Sequence, residues 1–328
     1  MSTIPGKIVR FYTPGAPDVL KMEDMELGPP KAGEVQVEHK AIGLNFIEVY
    51  WRTGIYPQPL PCCPGTEGAG IVRAVGEGVT DLKVGDRVAY GSGPIGSYAT
   101  VRNMPAHPLV KIPDSIDFET AAAMMLKGFT AQYLLRRVYK VQAGETILFH
   151  AAAGGVGTIA TQWAKSLGVR VIGTVSTREK AELARANGCA EVIITSEENI
   201  VDRVKELTDG KGVPVVYDSV GKTTFVDSLN CLKPRGMMVS FGNASGKVDP
   251  VPLQWLAERG SLVLTRPTVA SFTVDKAEMM ESAAEMFGVV ASGAVKIQIN
   301  QRFAFADVVK AHTELENRRT TGCTVLIP

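Results

Sequence analysis

The chain has 328 residues, and 35 lysines and arginines against 34 acidic residues give it a formal net charge of +1. This length exceeds one ordinary globular core and suits two domains, or one domain with a long insertion. Near-neutrality argues against the basic face of a strong nucleic-acid binder, and no segment approaches the ~20 apolar residues of a membrane span. We therefore expect neither nucleic acid nor a membrane as the main partner.

The start of the chain and its cysteines indicate the compartment. Residues 1–6 contain no basic segment followed by an apolar run, so the sequence predicts no secretory signal. The chain has five cysteines, Cys62, Cys63, Cys189, Cys231 and Cys323. Because they are sparse and odd in number, they do not suggest a disulfide framework. These features together predict a cytoplasmic protein.

The first part of the chain has β character. Residues 34–42 include a strict apolar–polar alternation, and residues 70–75 and 87–90 are also strand-like. Glycine and proline interrupt this part frequently. We expect an irregular, mostly antiparallel β domain.

The middle of the chain alternates short apolar runs with helical patterns. The predicted strands are 146–150, 169–174, 191–195, 213–218, 237–241 and 261–265, and the predicted helices are 155–167, 178–187, 200–208, 225–232 and 253–258. Strands that alternate with helices predict βαβ crossovers and a parallel sheet. This segment is therefore predicted to be a six-stranded, doubly wound Rossmann-type domain.

The last part of the chain returns to a different pattern. Residues 279–290 are predicted to form an amphipathic helix, and residues 323–327 a strand. No crossover partner for that strand is evident nearby. We expect it to join the first, β-rich domain.

A glycine-rich turn gives the sharpest local signal. It follows the strand at 146–150 and opens a helix, and a G-x-G-x-x-G pattern places Ala152, Gly154 and Gly157 at its three fixed positions. Gly154 lets the backbone approach a pyrophosphate, which the helix N-terminus attracts, and Gly157 lets helix and strand pack closely. The pattern predicts dinucleotide binding, and glycines that serve only packing are the alternative.

The end of the second strand of this domain distinguishes NAD from NADP. An acidic residue there would bind a ribose 2′-hydroxyl and repel a 2′-phosphate. Ser176 stands at that position, with Arg178 and Lys180 close behind it. A hydroxyl and two cations favour NADPH. The alternative is that both cations belong to a solvated first helical turn.

Residues 144–165 carry a pattern that resembles the signature of the quinone oxidoreductase/zeta-crystallin group of the medium-chain dehydrogenase/reductase superfamily. Further matching segments are 45–48, 65–70, 84–88, 127–131, 217–221, 241–243 and 318–322. The chain looks most similar to the bacterial NADPH:quinone reductases. The resemblance implies a GroES-like catalytic domain at 1–126 and 268–328, a Rossmann NADPH-binding domain at 127–267 inserted in it, and a cleft where they meet.

The zinc sites of the superfamily's alcohol dehydrogenases have no counterpart in this sequence. Asn45 stands in place of the first cysteine ligand, Thr66 replaces the histidine, and residues 90–110 contain no cysteine. Cys62 and Cys63 lack a second pair of ligands, and the four histidines are scattered. We expect no metal site and each histidine to be an ordinary surface or hydrogen-bonded residue.

The resemblance also implies the site residues. Those placed around the reacting groups are Asn45, Tyr50, Tyr56 and Lys127. Those placed at the cofactor are Asn45, Lys127, Thr130, Tyr133, Gly154, Gly155, Val156, Ser176, Lys180, Ser219, Phe241, Asn243 and Arg318. Tyr50 and Tyr56 fit an aromatic wall as well as a hydrogen-bond donor. Thr195 stands where close relatives carry a tyrosine near the adenine.

The predicted activity is zinc-independent reduction of a quinone by NADPH. Two alternatives stay open: reduction of an activated carbon–carbon double bond, and a non-catalytic crystallin-like or RNA-binding role, against which the charge of +1 argues. The resemblance further implies a homodimer.

Overall fold

The computed structural model describes residues 3–328 and contains two compact units. The first comprises residues up to 129 together with 272–287 and 297–328, and the second comprises 130–271 and 288–296. The chain thus leaves the first unit and returns to it.

The strands and helices are numbered in chain order. The strands are β1 Ile4–Arg10, β2 Lys21–Leu27, β3 Glu34–Leu44, β4 Gly68–Val75, β5 Arg87–Tyr90, β6 Val101–Pro105, β7 Val110–Lys111, β8 Thr146–Phe149, β9 Arg170–Val175, β10 Cys189–Ile194, β11 Val213–Asp218, β12 Leu232–Ser240, β13 Val263–Thr265, β14 Ile299–Ala304 and β15 Cys323–Ile327. The helices are α1 Phe46–Arg52, α2 Phe118–Tyr133, α3 Gly155–Ser166, α4 Arg178–Ala186, α5 Ile200–Leu207, α6 Phe225–Asn230, α7 Gln254–Glu258, α8 Val269–Phe272, α9 Lys276–Ala291 and α10 Val308–Glu316.

The first unit is built on a β sheet with the order β14-β15-β3-β4-β5-β7, in which β6 also pairs with β3. All of its pairings are antiparallel except that of β14 with β15. β15 lies against β3, with Thr324 opposite Leu44, so the predicted return of the C-terminal strand is confirmed. Strands β1 and β2 form a separate antiparallel pair.

One expectation for this unit is wrong: β15 does have a crossover partner. β14 runs parallel to β15 and reaches it through α10, whose residues Val308 and Ala311 are buried in the same core as Leu326. β14 alternates between half-buried and exposed residues and carries Gln301 and Arg302, so its apolar signal is weak.

The second unit contains a parallel sheet with the order β10-β9-β8-β11-β12-β13. Counted within the unit, this is the 3-2-1-4-5-6 order of a doubly wound dinucleotide-binding fold. β11 is buried along its whole length, as expected for a central strand covered on both faces. The predicted Rossmann sheet of six strands is confirmed.

The ends of these strands differ from the predicted ends mainly at β12. It begins at Leu232 rather than at 237, because Leu232 pairs with Val213 before an irregularity that ends at the Val215–Met237 pair. The order of the sheet reverses between β8 and β11, and ligands of such sheets bind beyond the carboxyl ends of the strands at that point. Within residues 3–328, no helix is long and apolar enough to cross a membrane.

Candidate active site

The glycine-rich turn leads from β8 into α3 in the second unit. Gly154 is the N-terminal cap of α3 in extended conformation, and its N–H donates to the carbonyl of Ala151 at 2.9 Å. A Cβ on Gly157 would lie 2.7 Å from the carbonyl carbon and oxygen of Ala152. Glycine is therefore required at 157 by close packing of the helix on the turn.

The N-terminus of α3 suits an anion. The first N–H groups of a helix have no partner within it, so those of Gly155 and Val156 are available to an incoming phosphate, and the helix dipole attracts negative charge. α3 is 12 residues long, enough for a developed dipole. The turn and the helix end therefore fit the pyrophosphate of a dinucleotide.

The residues that would meet a 2′-phosphate follow β9. Ser176 is half-buried, and its carbonyl accepts a hydrogen bond from Ser196 at 3.1 Å. The Thr177 hydroxyl accepts from the N–H of Lys180 and so caps α4. Arg178 pairs with Glu197 at 2.9 Å, so the guanidinium of Arg178 has a carboxylate partner on the protein itself.

Thr195, the departure noted in the sequence, lies beside this point. Its hydroxyl donates to the carbonyl of Val175 at 3.1 Å, and its N–H donates to the same oxygen at 2.8 Å. Thr195 thus joins the ends of β9 and β10. The hydroxyl hydrogen of Thr195 is therefore engaged with the backbone.

The remaining predicted residues of the second unit follow β11 and β12 or lie on α2. Ser219 and Phe241 directly follow these strands, and the N–H of Phe241 donates to the carbonyl of Asp218 at 2.8 Å. Asn243 is almost fully buried two residues later. On α2, burial raises the pKa of Tyr133 to about 12, although a hydrogen bond with Thr130 opposes the shift.

A buried histidine lies beneath the glycine-rich turn, and sequence reasoning gave it no role in the site. His150 directly precedes the turn, its Nδ1 lies 2.9 Å from the Thr174 hydroxyl, and its Nε2 lies 3.0 Å from the Ser228 hydroxyl. Burial lowers its pKa, although the charge of Asp218 opposes the shift. A neutral His150 thus joins the ends of β8 and β9 to helix α6.

Asp218 extends this network to the loop after β11. One carboxylate oxygen accepts from the N–H groups of Val220 and Gly221 at 2.7 and 3.0 Å. The other accepts from the hydroxyls of Thr224 and Ser228 at 2.7 and 3.0 Å. Four donors satisfy the buried carboxylate, which fixes the loop that carries Ser219.

In the first unit, two predicted catalytic residues converge on a buried carboxylate. Glu67 is fully buried, and it accepts hydrogen bonds from Asn45 Nδ2 at 2.9 Å and from the Leu126 N–H at 2.7 Å. Lys127 Nζ forms an ion pair with the same carboxylate. Burial is the largest single influence and lowers the pKa of Lys127. The charge and hydrogen bond of Glu67, together with Cys323 and Glu48, outweigh it, so the pKa lies above its ordinary value.

A second buried carboxylate adjoins the first. Glu48 accepts from the Thr66 hydroxyl at 2.7 Å and from the N–H of Asn45. Burial raises the pKa of Glu48 to about 8, and the charge of Glu67 adds to the shift. Sequence reasoning assigned neither Glu48 nor Glu67 to the site. The available signal was a carboxylate within the apolar run at 46–51.

The two predicted tyrosines lie together on and after α1. The rings of Tyr50 and Tyr56 meet edge to face with centroids 5.2 Å apart, and the ring of Phe46 lies 5.6 Å from that of Tyr50. The N–H of Tyr56 donates to the carbonyl of Tyr50 at 3.0 Å. Two roles were considered for these tyrosines, an aromatic wall and a hydrogen-bond donor, and the ring contacts favour the wall.

The histidines are hydrogen-bonded or exposed, as the sequence analysis expected. His39 contacts the Ala99 carbonyl at 2.6 Å and the Tyr90 hydroxyl at 2.7 Å, and His107 is exposed. His312 lies with its Nε2 3.0 Å from the Tyr98 hydroxyl, and its Nδ1 has no hydrogen-bond partner among residues 3–328. No group of three or more His, Cys, Asp or Glu in that part of the chain could hold a metal ion.

Two family descriptions match the chain: the alcohol dehydrogenase GroES-like domain at residues 31–114 and the zinc-binding dehydrogenase at 155–288. A quinone oxidoreductase of Pseudomonas aeruginosa is 56% identical over 323 residues, which cover 98% of this chain and 99% of that protein. The chain belongs to the quinone oxidoreductase family. The predicted family resemblance is thereby confirmed.

Solved quinone oxidoreductases agree with this assignment. The enzyme of Pseudomonas syringae pv. tomato has a TM-score of 0.97 at 53% identity, and alignment covers 98% of this chain and 100% of that one. The Escherichia coli quinone oxidoreductase complexed with NADPH has the same TM-score and coverage at 48% identity.

The predicted site residues of this chain are divided between its two units. The first unit contains Asn45, Tyr50, Tyr56, Lys127 and Arg318. The other predicted residues lie in the second.

Proposed function

We propose that this chain reduces quinones with NADPH, by transfer of a hydride from the nicotinamide and without zinc. The observation that carries the proposal is the glycine-rich turn into α3 together with a β9 end that presents Ser176 in place of an acid. That arrangement fits a phosphorylated dinucleotide. The E. coli relative complexed with NADPH, 48% identical, supports the same cofactor.

The residues of the second unit would hold the cofactor. The N–H groups of Gly155 and Val156 would bind the pyrophosphate, with Gly154 allowing close approach, and Ser176 and Lys180 would bind the 2′-phosphate. We propose the remaining contacts along the cofactor for Thr130, Tyr133, Ser219, Phe241 and Asn243, together with Arg318 of the first unit. NADPH supplies the hydride when bound, and the protein supplies orientation and charge.

The residues of the first unit would act on the reacting end. Lys127 carries a cation that Glu67 stabilises, and a cation stabilises the negative charge that develops on a quinone oxygen. Asn45 is held by the same carboxylate and offers a polar group of fixed orientation. Tyr50 and Tyr56 would form an apolar wall for a planar acceptor.

An acceptor panel tests the proposal. The purified chain is mixed with NADPH and, in separate reactions, with a para-quinone, an enone and no acceptor, and NADPH absorbance is followed. We expect turnover with the quinone and much slower turnover with the enone. NADPH binding without turnover of either acceptor would refute an enzymatic role, and turnover of the enone alone would establish the alternative reductase.

We also propose that the protein is a homodimer of the cytoplasm. The family resemblance supports the dimer, and a reducing compartment suits five cysteines, all within the described residues, that form no disulfide. Light scattering during gel filtration tests the dimer, which should have twice the mass of one chain. Fractionation of the native cells tests the compartment.

A further inference from the structure

Glu67 occupies the centre of the polar cluster in the first unit. Its carboxylate accepts hydrogen bonds from Asn45, which follows β3, and from Leu126 and Lys127 of α2. A Cβ on Gly43 would lie 2.5 Å from the carboxyl carbon of Glu67, so β3 also packs directly on this group. Backbone on two sides therefore holds the carboxylate in one place.

We propose that Glu67 is a positioning residue for quinone reduction, since its carboxylate fixes the orientation of both the Asn45 amide and the Lys127 ammonium. The inference rests on the proposed function, in which those two groups act on the reacting end. Glu67 itself is fully buried and acts through its partners.

The chemistry of the carboxylate decides how Asn45 is presented. An ionised carboxylate only accepts hydrogen bonds, so the amide must turn its NH2 group, Nδ2, toward Glu67. The carbonyl Oδ1 then lies on the other arm of the amide. The capping box at the start of α1 turns that oxygen toward the backbone N–H of Glu48, so the amide is held at both ends.

The same carboxylate keeps Lys127 charged. A buried ammonium tends to lose its proton, and Glu67 makes the largest contribution against that tendency. The other ionisable groups that act on Lys127 are Glu48 and the buried thiol of Cys323. The quinone oxygen would therefore take its charge stabilisation from the Lys127 ammonium, which Glu67 holds in place.

The test compares Glu67→Gln, which removes the charge and keeps the size, with Glu67→Asp, which keeps the charge and shortens the side chain. Glu316→Gln is the matched control, because Glu316 is also paired with a buried cation of the first unit, Arg52. The Lys127 side chain is followed by NMR of ligand-free, ¹³C-lysine-labelled protein across pH, with its signal assigned by Lys127→Met.

We expect Lys127 to titrate at lower pH in Glu67→Gln, and at wild-type pH in Glu67→Asp and Glu316→Gln. In the quinone assay, kcat/KM of Glu67→Gln should fall about 10- to 100-fold and decline further as the pH rises through the new Lys127 pKa. A purely structural loss would scale the rate without changing its pH profile, and Glu67→Asp should retain the wild-type profile.

The possible outcomes separate the two proposals. Unchanged Lys127 titration in Glu67→Gln overturns the positioning role, and so does a shifted titration with wild-type kcat/KM and pH profile. If Glu67→Gln does not fold, a Glu67→Asp variant with wild-type kcat/KM overturns it instead. A wild-type protein that reduces no quinone overturns the proposed function, while the NMR titration still decides whether Glu67 holds Lys127 charged.

Discussion

Gly157→Ala is the sharpest test of how the glycine-rich turn is built. The new Cβ would lie 2.7 Å from two backbone atoms of Ala152, about 0.7 Å inside the 3.4 Å at which ordinary contact begins. Backbone atoms cannot rotate away, so the turn itself must move. Overpacking of this kind costs about 3 kcal/mol, and the better helix propensity of alanine returns about 1 kcal/mol. We expect a net loss of about 2 kcal/mol, or a fall in Tm of roughly 4–8 °C.

The same displacement of the turn should weaken binding of the cofactor. The turn carries the N–H groups of Gly155 and Val156, and misplacement of a binding group by nearly 1 Å can cost about 100-fold. We expect NADPH affinity, measured by fluorescence titration, to fall at least about tenfold. Gly288→Ala in α9 is the control: nothing lies within 4 Å of its Cβ, so that variant should keep wild-type affinity and gain about 0.5–1 kcal/mol. Wild-type Tm and affinity in Gly157→Ala would refute the packing argument.

Three further tests concern the 2′-phosphate site, the protonation of Glu48 and the metal-free assignment. Lys180→Ala should lower the affinity for NADPH about 10- to 100-fold and the affinity for NADH only slightly, as measured by titration with each cofactor. Arg178→Ala should lower NADPH affinity less, because the Arg178 guanidinium already pairs with Glu197. Equal losses for the two cofactors in Lys180→Ala would contradict the phosphate role. The folded-state pKa of Glu48, about 8, lies above its ordinary 4.5, so the folded protein binds more protons between those values and loses stability as the pH rises through them. The Tm of Glu48→Gln should therefore improve relative to wild type between pH 5 and 9, and a constant difference would argue against a protonated Glu48. Prolonged dialysis against a strong chelator should leave quinone reduction intact, and a loss restored by zinc would overturn the metal-free assignment.

Much of the second unit could be predicted because the central strands of its sheet are buried on both faces. β11 consists of buried residues only, and its predicted range, 213–218, matches the structure at both ends. The alternation of strands and helices then sets the topology, since parallel strands need crossovers. The prediction was less accurate at β12, where the pairing irregularity near residue 235 depends on tertiary contacts.

The elements that sequence reasoning missed lack a clear period. Residues 121–126 of α2 are six consecutive apolar residues, so no amphipathic stripe marks this part as a helix. β2 carries three acidic residues and is largely half-buried or exposed, and β1 begins with Ile4, Pro5 and Gly6. These strands are defined by pairing with each other, which a local pattern does not show.

The buried acids show why the site itself was only partly predictable. A sequence gives the positions of Glu67 and Asp218 but not which donors the fold brings to them. Asp218 receives two backbone N–H groups and two hydroxyls, all within ten residues, so its direct partners lie in the loop and helix that follow β11. Glu67 receives Asn45 and Lys127 from 22 and 60 residues away. A carboxylate that binds polar side chains distant in the sequence fixes their positions. A change at Glu67 can therefore perturb the reacting end without removing a group that touches the substrate.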